Sequence, residues 1–190
     1  MVTRGSFAAL RLTGPPHLFN VFSCNKDGEE KTALEKRAFQ DVFTGSLTQC
    51  WGCGSHNAHG LQIKTYWADN GEETICTWQP REYHTAAWPN ILSGGVLASL
   101  IDCHSVCTAM MVALREEGIE WSSEPEIIYI TASLQVQYLK PTPMTYPVTL
   151  RARVKEQSGR KMIVQCSVFS QDQECARGEV VAVRYTPQAA

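Results

Sequence analysis

Residues 93–118, SGGVLASLIDCHSVCTAMMVALREEG, decide the fold. Ser93 is a favourable N-cap, and Gly118 follows a charged last turn, so the stretch predicts one helix roughly 35 Å long. Apolar side chains lie on nearly every face of that helix: Val96, Leu97, Leu100, Ile101, Val106, Cys107, Met110 and Met111. A helix that is apolar nearly all round must be buried by the rest of the chain.

Runs with strand character surround this helix. Two precede it, residues 60–69 and 73–80, joined by the turn NGE; four follow it, residues 126–139, 146–157, 161–171 and 176–185. Links of hairpin length make the sheet antiparallel. We therefore predict an α+β domain of the hotdog type, in which a curved antiparallel sheet wraps a long buried helix.

The first 46 residues differ in composition from the remainder. Residues 29–43, EEKTALEKRAFQDVF, predict a short amphipathic helix after a loop rich in Pro, Gly and Asn. We interpret residues 1–46 as an N-terminal extension that packs on the main domain, residues 47–190.

Charge and cysteine content narrow the class of protein. The net charge is −2 and the pI about 6.2, which gives no electrostatic footprint for nucleic acid. No apolar run is expected to span a membrane, and the start of the chain lacks the apolar core of a signal peptide. Eight cysteines in such a chain predict free thiols and a reducing, cytoplasmic location.

Asp102 is the first candidate for chemistry, because a charge inside a buried helix is costly unless it is paired or useful. Its helical neighbours are small: Gly95, Ala98, Ser99, Ser105, Val106 and Ala109. A second backbone or a slender substrate can approach such a stripe. His104 lies about 200° away among apolar residues, which predicts a hydrogen-bonded core histidine. A purely structural carboxylate remains the alternative for Asp102.

The helix start is the second candidate. Gly94 and Gly95 leave bare N–H groups at the positive end of the helix dipole, which suits an oxyanion. Gly-Gly also serves tight turns, so the pattern gains weight from the carboxylate two turns later.

Residues 50–61, CWGCGSHNAHGL, raise the question of a metal. Structural zinc takes four ligands, commonly from two separated pairs, and no second pair follows Cys50 and Cys53. The spacing of His56 and His59 does not match a zinc finger. A redox C-x-x-C is typical of a βαβ unit, which is absent here. We therefore expect no metal.

Three motifs together resemble one family. Residues 88–102, WPNILSGGVLASLID, resemble a Gly-Gly helix start with an acidic residue seven positions after the second Gly. Residues 50–64, CWGCGSHNAHGLQIK, resemble C-x-x-C-G-x-x-N-x-x-G-L at the entry to the first strand. Residues 131–143, TASLQVQYLKPTP, resemble a long strand ending in Tyr-x-x-Pro. The family is that of the PaaI-like hotdog acyl-CoA thioesterases, in the 4-hydroxybenzoyl-CoA thioesterase superfamily, and the resemblance covers residues 48–186.

The resemblance implies roles for particular residues. Asp102 is expected to be nucleophile or general base, with the Gly95 N–H polarising the thioester carbonyl. Thr131, or Ser133, is expected to reach the partner subunit's Asp102, because strand alternation turns both away from their own helix. A solvated sheet face remains the alternative for these two residues. The family usually has His where this chain has Ser93, and His84 in the preceding loop could supply an imidazole or be a surface residue. In the opening motif, Gly54 and Gly60 are expected to shape the turn and Asn57 to cap it.

Substrate and assembly follow in the same way. Gly94 and Asn90 are assigned to substrate binding. Lys155, Arg160 and Lys161 form either a solvated turn or contacts to the phosphates of coenzyme A. No cofactor is expected beyond the coenzyme A of the substrate, and the partner is a second copy in a homodimer, possibly a homotetramer. A hydratase or dehydratase, or an acyl-thioester-binding protein without turnover, remains the alternative.

Overall fold

A computed structural model describes residues 37–121 and 127–186, which lie within one compact unit that spans residues 31–190. The predicted helix is present as α1, Gly94–Glu116. Gly118 ends it with φ +66°, a conformation that glycine adopts without strain. The N–H groups of Gly118 and Ile119 donate to the carbonyls of Arg115 and Leu114, the usual closure of a helix C-terminus.

Six strands form one sheet. They are β1 Tyr66–Trp67, β2 Thr74–Trp78, β3 Ile128–Tyr138, β4 Val148–Ser158, β5 Lys161–Ser170 and β6 Gln173–Tyr185. Their order is β1-β2-β4-β5-β6-β3, and every pair is antiparallel. The order of elements along the chain and the antiparallel hotdog arrangement are confirmed.

Two strand boundaries differ from the prediction by more than two residues. Only Tyr66 and Trp67 of the run 60–69 pair in the sheet, because the preceding residues follow the loop that leaves the 50–61 motif. β6 begins at Gln173 rather than Ala176, because the turn is only the pair Gln171–Asp172, with Gln171 at φ +53°.

Helix α1 packs against β3, β4, β5 and β6. Its length and its mean hydropathy of 1.7 over an 18-residue window are sufficient for a membrane span. The expectation that no apolar run meets these two criteria is therefore wrong. Two thirds of that window, 67%, is buried inside the fold, as for the core helix of a globular domain. By length and composition it is the one such helix among the residues described.

A β-bulge interrupts β3. Thr131 is opposite Ala182 of β6 and Ser133 is opposite Val181, so Ala132 is the extra residue. Before the bulge Tyr129 is buried and Ile130 is half exposed, the reverse of the alternation expected from the sequence. After the bulge Leu134 and Val136 pack against the core. The predicted single alternation is therefore wrong for the first part of β3.

Residues 38–43, except the exposed Asp41, lie in the core. Phe39 is fully buried, with its ring 5.2 Å from the rings of Phe43 and Trp121. Of the amphipathic helix predicted over 29–43, residues 29–36 lie outside the described residues, and Phe39–Val42 form a 3-10 turn instead. The domain boundary after residue 46 stays a prediction.

Candidate active site

Asp102 and Thr131 of the same chain form the centre of the site. The Thr131 hydroxyl donates a 2.5 Å hydrogen bond to Asp102 Oδ1. The bulge makes this contact possible, since it places Thr131 on the helix side of β3. The expectation that Thr131 turns away from its own helix and serves the partner subunit's Asp102 is therefore wrong. The error arises because the sequence pattern does not show the bulge.

The Asp102 carboxyl is half-buried. Burial raises its pKa above the ordinary value, the Thr131 hydrogen bond opposes that rise, and the nearby Cys50 adds to it. A carboxylate that is raised in basicity, held by one hydroxyl and still accessible can accept a proton at its free oxygen.

An uncovered stripe of small residues surrounds Asp102 on α1. Gly95 is exposed, and the residues that continue the stripe are half-buried: Ala98, Ser99, Asp102, Cys103 and Val106. The Ser99 hydroxyl donates to the Gly95 carbonyl at 3.0 Å, so it presents little bulk beyond the helix backbone. The face on which the sequence predicted a close approach is thus open from Gly95 to Val106 in the single chain, except that Ser105 and also Ala109 beyond it are buried.

The helix start has an open backbone, with a different role for Ser93 than expected. Ser93 occupies the N-cap position but its side chain makes no capping hydrogen bond; its N–H donates to the His84 carbonyl at 2.9 Å. A Cβ on Gly95 would meet only Ser93 Oγ, at 3.8 Å. Gly94 packs against the Tyr138 ring, and a Cβ on Gly94 would lie only 3.2 Å from ring atoms. The Gly94 carbonyl accepts a hydrogen bond from the Tyr138 hydroxyl at 2.8 Å. No pattern in the sequence indicated this role of Tyr138.

His84 is a packed side chain. Its ring lies 4.8 Å from the Trp78 ring, and its Nδ1 accepts the Arg81 N–H at 2.9 Å. Burial, with a contribution from Arg81, lowers the pKa of the imidazole, which is therefore neutral near pH 7. Its carbonyl receives the Ser93 N–H, so His84 positions the start of α1.

The other expected site residues are exposed. Asn90 has φ +64°, is exposed, and accepts the Met144 N–H on its carbonyl at 2.9 Å. Ser133 is exposed beyond the bulge. Lys155 pairs with Glu179 at 2.9 Å.

The turn between β4 and β5 carries the remaining basic residues. Arg160 donates to the Arg184 carbonyl at 2.7 Å, and Lys161 is exposed. No hydrogen bond or ion pair among the described residues joins this turn to Asp102.

On the opposite side of α1, His104 is fully buried in a polar network. Its Nδ1 pairs with the Thr65 hydroxyl at 3.0 Å and its Nε2 with the Thr74 hydroxyl at 3.3 Å. Gln40 and Thr108 extend the network through those two threonines. Burial lowers the pKa of His104 to about 4. The prediction of a satisfied core histidine is confirmed.

The 50–61 motif shapes a compact turn, as the sequence predicted. A Cβ on Gly54 would lie 2.4 Å from the Thr48 carbonyl, and one on Gly60 would lie 2.5 Å from the Trp51 carbonyl. Asn57 Oδ1 accepts the His59 N–H at 3.1 Å.

The same turn meets α1 through its sulfur atoms. The Sγ atoms of Cys50, Cys53 and Cys103 all lie within 4.8 Å of one another, whereas His56 and His59 are exposed. Cys103 was not predicted as a partner of Cys50 and Cys53, because it lies on helix α1 about 50 residues later and not in a second C-x2-C pair. The reason given for expecting no metal therefore does not hold.

Three comparisons bear on the family. The thioesterase superfamily profile matches residues 89–176. A thioesterase superfamily protein of Shewanella loihica, known from its crystal structure, is 36% identical over 70% of this chain and 98% of its own, with a TM-score of 0.54. The PaaI protein of E. coli, at 15% identity and a TM-score of 0.50 over 60% of this chain and 74% of its own, shares the fold.

A curated relative is the rat acyl-coenzyme A thioesterase THEM4, 26% identical over 169 residues, which are 89% of this chain. The chain spans only 64% of that protein's length. The match to the Shewanella protein over nearly its whole length, together with the profile and the fold, establishes the family. This chain belongs to the thioesterase superfamily.

Proposed function

We propose that the protein hydrolyses acyl-coenzyme A thioesters, with Asp102 as the group that activates the attacking oxygen. The observation that carries the proposal is the Asp102–Thr131 pair on the open stripe of the core helix. The family and the name of the rat relative support the substrate class.

The chemistry follows from the two oxygens of the carboxylate. Thr131 occupies Oδ1, and Oδ2 accepts no hydrogen bond from the residues described, so it is left as base for a water or as nucleophile. A raised pKa makes Asp102 a stronger base than an ordinary carboxylate. Hydrolysis adds water across the C–S bond: the hydroxyl goes to the acyl carbon, and the proton goes to the departing thiolate.

The oxyanion donor cannot come from the same helix. Gly95 and Asp102 are seven residues apart, which is about 10.5 Å along an α-helix. A donor about 3 Å from the carbonyl oxygen and an attacking group about 3 Å from the carbonyl carbon must lie closer together than that. We therefore assign the Gly95 N–H of each site to a second chain.

A two-fold axis satisfies this requirement. Antiparallel helices that cross at Ala98 and Ser99, midway between Gly95 and Asp102, bring Gly95 of one chain level with the partner's Asp102. Both crossing residues are small, which permits close contact between helices. β3 is an edge strand, so it also offers a free edge to a second copy. The site is thus still shared, but Asp102 and Thr131 come from one chain and the helix start from the other.

The coenzyme A end of the substrate requires cations. We assign Lys161 to a phosphate of coenzyme A, since it is exposed while Arg160 already donates to the Arg184 carbonyl.

A panel of acyl-CoAs with thiol detection tests the function. We expect free thiol with at least one acyl class. A shifted double bond without thiol release would indicate a hydratase or dehydratase. Saturable binding without any product would indicate an acyl-thioester-binding protein. Either of these two outcomes contradicts the proposal.

Mixing two inactive variants tests the division of the site. Gly95→Pro removes one N–H at the second helical position, where proline is tolerated because that N–H has no partner within the helix. Refolding it together with Asp102→Ala makes half the dimers heterodimers, each with one intact site, so roughly a quarter of wild-type activity should return. Mixing Thr131→Ala with Asp102→Ala should restore nothing, because those residues act within one chain. Recovery in the second mixture and none in the first would overturn this assignment.

A further inference from the structure

We propose that Cys50, Cys53, Cys103 and Cys107 form a thiolate site for one zinc ion, which ties the 50–54 turn to helix α1. The proposal is independent of the hydrolytic function, since it concerns four thiols that the proposed reaction does not use.

The spacing of the sulfur atoms suits a tetrahedral ion. Zinc–sulfur bonds of about 2.3 Å place two ligand sulfurs about 3.8 Å apart. Cys50 Sγ and Cys103 Sγ are 3.9 Å apart, and Cys53 Sγ lies within 4.8 Å of both. Three sulfurs converging from a turn and a helix already have nearly the separation that a tetrahedral ion requires.

The backbone of the turn is arranged for a thiolate at Cys50. The N–H groups of Gly52 and Cys53 lie near its sulfur. A Cβ on Gly52 would lie 2.1 Å from Cys103 Sγ, so only glycine allows the helix sulfur to approach the turn this closely. N–H donors directed at a metal-bound sulfur are the outer hydrogen bonds that orient a ligand and stabilise its negative charge.

Cys107 completes the set. It follows Cys103 by four residues, so both side chains leave the same face of α1. Its Sγ lies near that of Cys53 but outside the group of three sulfurs that lie within 4.8 Å of one another, so binding an ion requires a small shift of this side chain. Gln40 Nε2 donates to Cys107 Sγ at 3.2 Å, while Gln40 Oε1 accepts the Thr65 N–H and so fixes the amide orientation. The sulfur of Cys107 is therefore an acceptor, as a thiolate is.

The charges of the cluster call for a cation. The cluster as described contains no Lys, Arg or His side chain, so thiolates brought together at these positions would repel one another. A divalent ion allows them to ionise together. The second ligand pair, Cys103-x3-Cys107, lies on the helix.

Cobalt titration tests the site in the full chain. Protein stripped with a chelator and kept in a non-thiol reductant should bind one Co²⁺ per chain. It should show the sulfur-to-metal charge-transfer band and the visible bands of tetrahedral thiolate coordination, and zinc should displace the cobalt stoichiometrically.

Two serine variants locate the binding. Cys103→Ser should weaken zinc binding by more than about a hundredfold. Cys175→Ser is the matched control, because Cys175 is also buried but donates to the Gln173 carbonyl outside the cluster, and its zinc affinity should equal that of wild type.

A measurement without substitutions guards against a variant that fails to fold. Zinc should slow alkylation of Cys50 and Cys103 in the wild-type chain by at least about tenfold, as mapped by mass spectrometry, and leave Cys175 unchanged. The proposal is overturned if the reduced chain binds less than a tenth of an equivalent of either metal. It is equally overturned if Cys175→Ser weakens binding as much as Cys103→Ser, or if zinc leaves alkylation of Cys50 and Cys103 unchanged.

Discussion

Asp102 and His104 are two residues apart on α1, yet they lie in opposite environments. His104 is fully buried, and two threonine hydroxyls satisfy both ring nitrogens. Asp102 is half-buried on the open stripe and has one hydroxyl partner, Thr131. Burial favours the neutral form of both side chains, so it lowers the pKa of His104 and raises the pKa of Asp102.

The difference lies in what remains unsatisfied. A buried polar group whose hydrogen bonds are complete stabilises a fold and has nothing left to offer a substrate. A partly desolvated carboxylate with a free oxygen is costly to the fold and available for chemistry. One helix therefore carries a structural face and a reactive face.

Removing one N–H from the reactive face should have the largest effect. Gly95→Pro should lower kcat about 10²–10³-fold, the usual effect of losing one oxyanion donor. Gly95→Ala keeps the N–H, and within the chain its Cβ would meet only Ser93 Oγ at 3.8 Å, so it should retain far more activity than Gly95→Pro. Thiol release from an acyl-CoA measures both variants, and equal kcat in the two would remove Gly95 from the site.

On the structural face, His104→Leu should cost about 2 kcal/mol of unfolding free energy, because it removes hydrogen bonds to two buried hydroxyls. Turnover of the folded variant should be unchanged. Denaturant unfolding measures the free energy of unfolding, and thiol release from an acyl-CoA measures turnover. His59→Leu, at an exposed histidine, is the control and should change neither. A selective loss of kcat in His104→Leu would mean that the two faces are not separate.

The same pair predicts opposite pH dependences of stability. The unfolded chain protonates His104 below its ordinary pKa of 6.5, but the folded chain resists to about pH 4. The contribution of His104 is therefore full above pH 6.5, and roughly 3 kcal/mol is lost as pH falls to 4. For Asp102, whose pKa is raised, the contribution is full below its ordinary range and is lost as pH rises through the folded value. The free energy of unfolding of wild type and His104→Leu, measured at several pH values, checks the His104 prediction. If the free energy of the variant fell as steeply between pH 6.5 and 4 as that of wild type, the prediction would be contradicted.

Ser93 should give the smallest effect. Loss of an N-cap side chain usually costs about 1 kcal/mol, but Ser93 makes no capping hydrogen bond with its side chain. Ser93→Ala should therefore change the unfolding free energy by less than about 0.5 kcal/mol and leave kcat close to wild type. Thermal unfolding and thiol release test both, and a large loss of kcat would give the hydroxyl a catalytic role.

Much of this architecture can be read from periodicity. The all-round apolar pattern of 93–118 and the six strand-like runs predict the buried helix and the antiparallel sheet. The contrast between the small neighbours of Asp102 and the apolar neighbours of His104 separates the two faces before any coordinates are known.

Two features of the site could not be predicted in this way. The bulge at Ala132 reverses the alternation of β3. No glycine or proline in that stretch indicates a bulge, so the sequence pattern places Thr131 on the wrong side of the strand. The meeting of Cys103 with Cys50 and Cys53 depends on a turn that packs on a helix about 50 residues later, which local spacing does not encode.

Asp102→Asn, measured for turnover and for stability in the same preparation, shows whether the Asp102 carboxylate is the reactive group of the site. Thiol release should fall by at least about 10²-fold, because the amide cannot accept a proton. The unfolding free energy at pH 7 should be equal to or greater than that of wild type, because the variant no longer buries a charge. Near-normal turnover, or a loss of stability that explains the lost activity, would mean that Asp102 is a structural carboxylate.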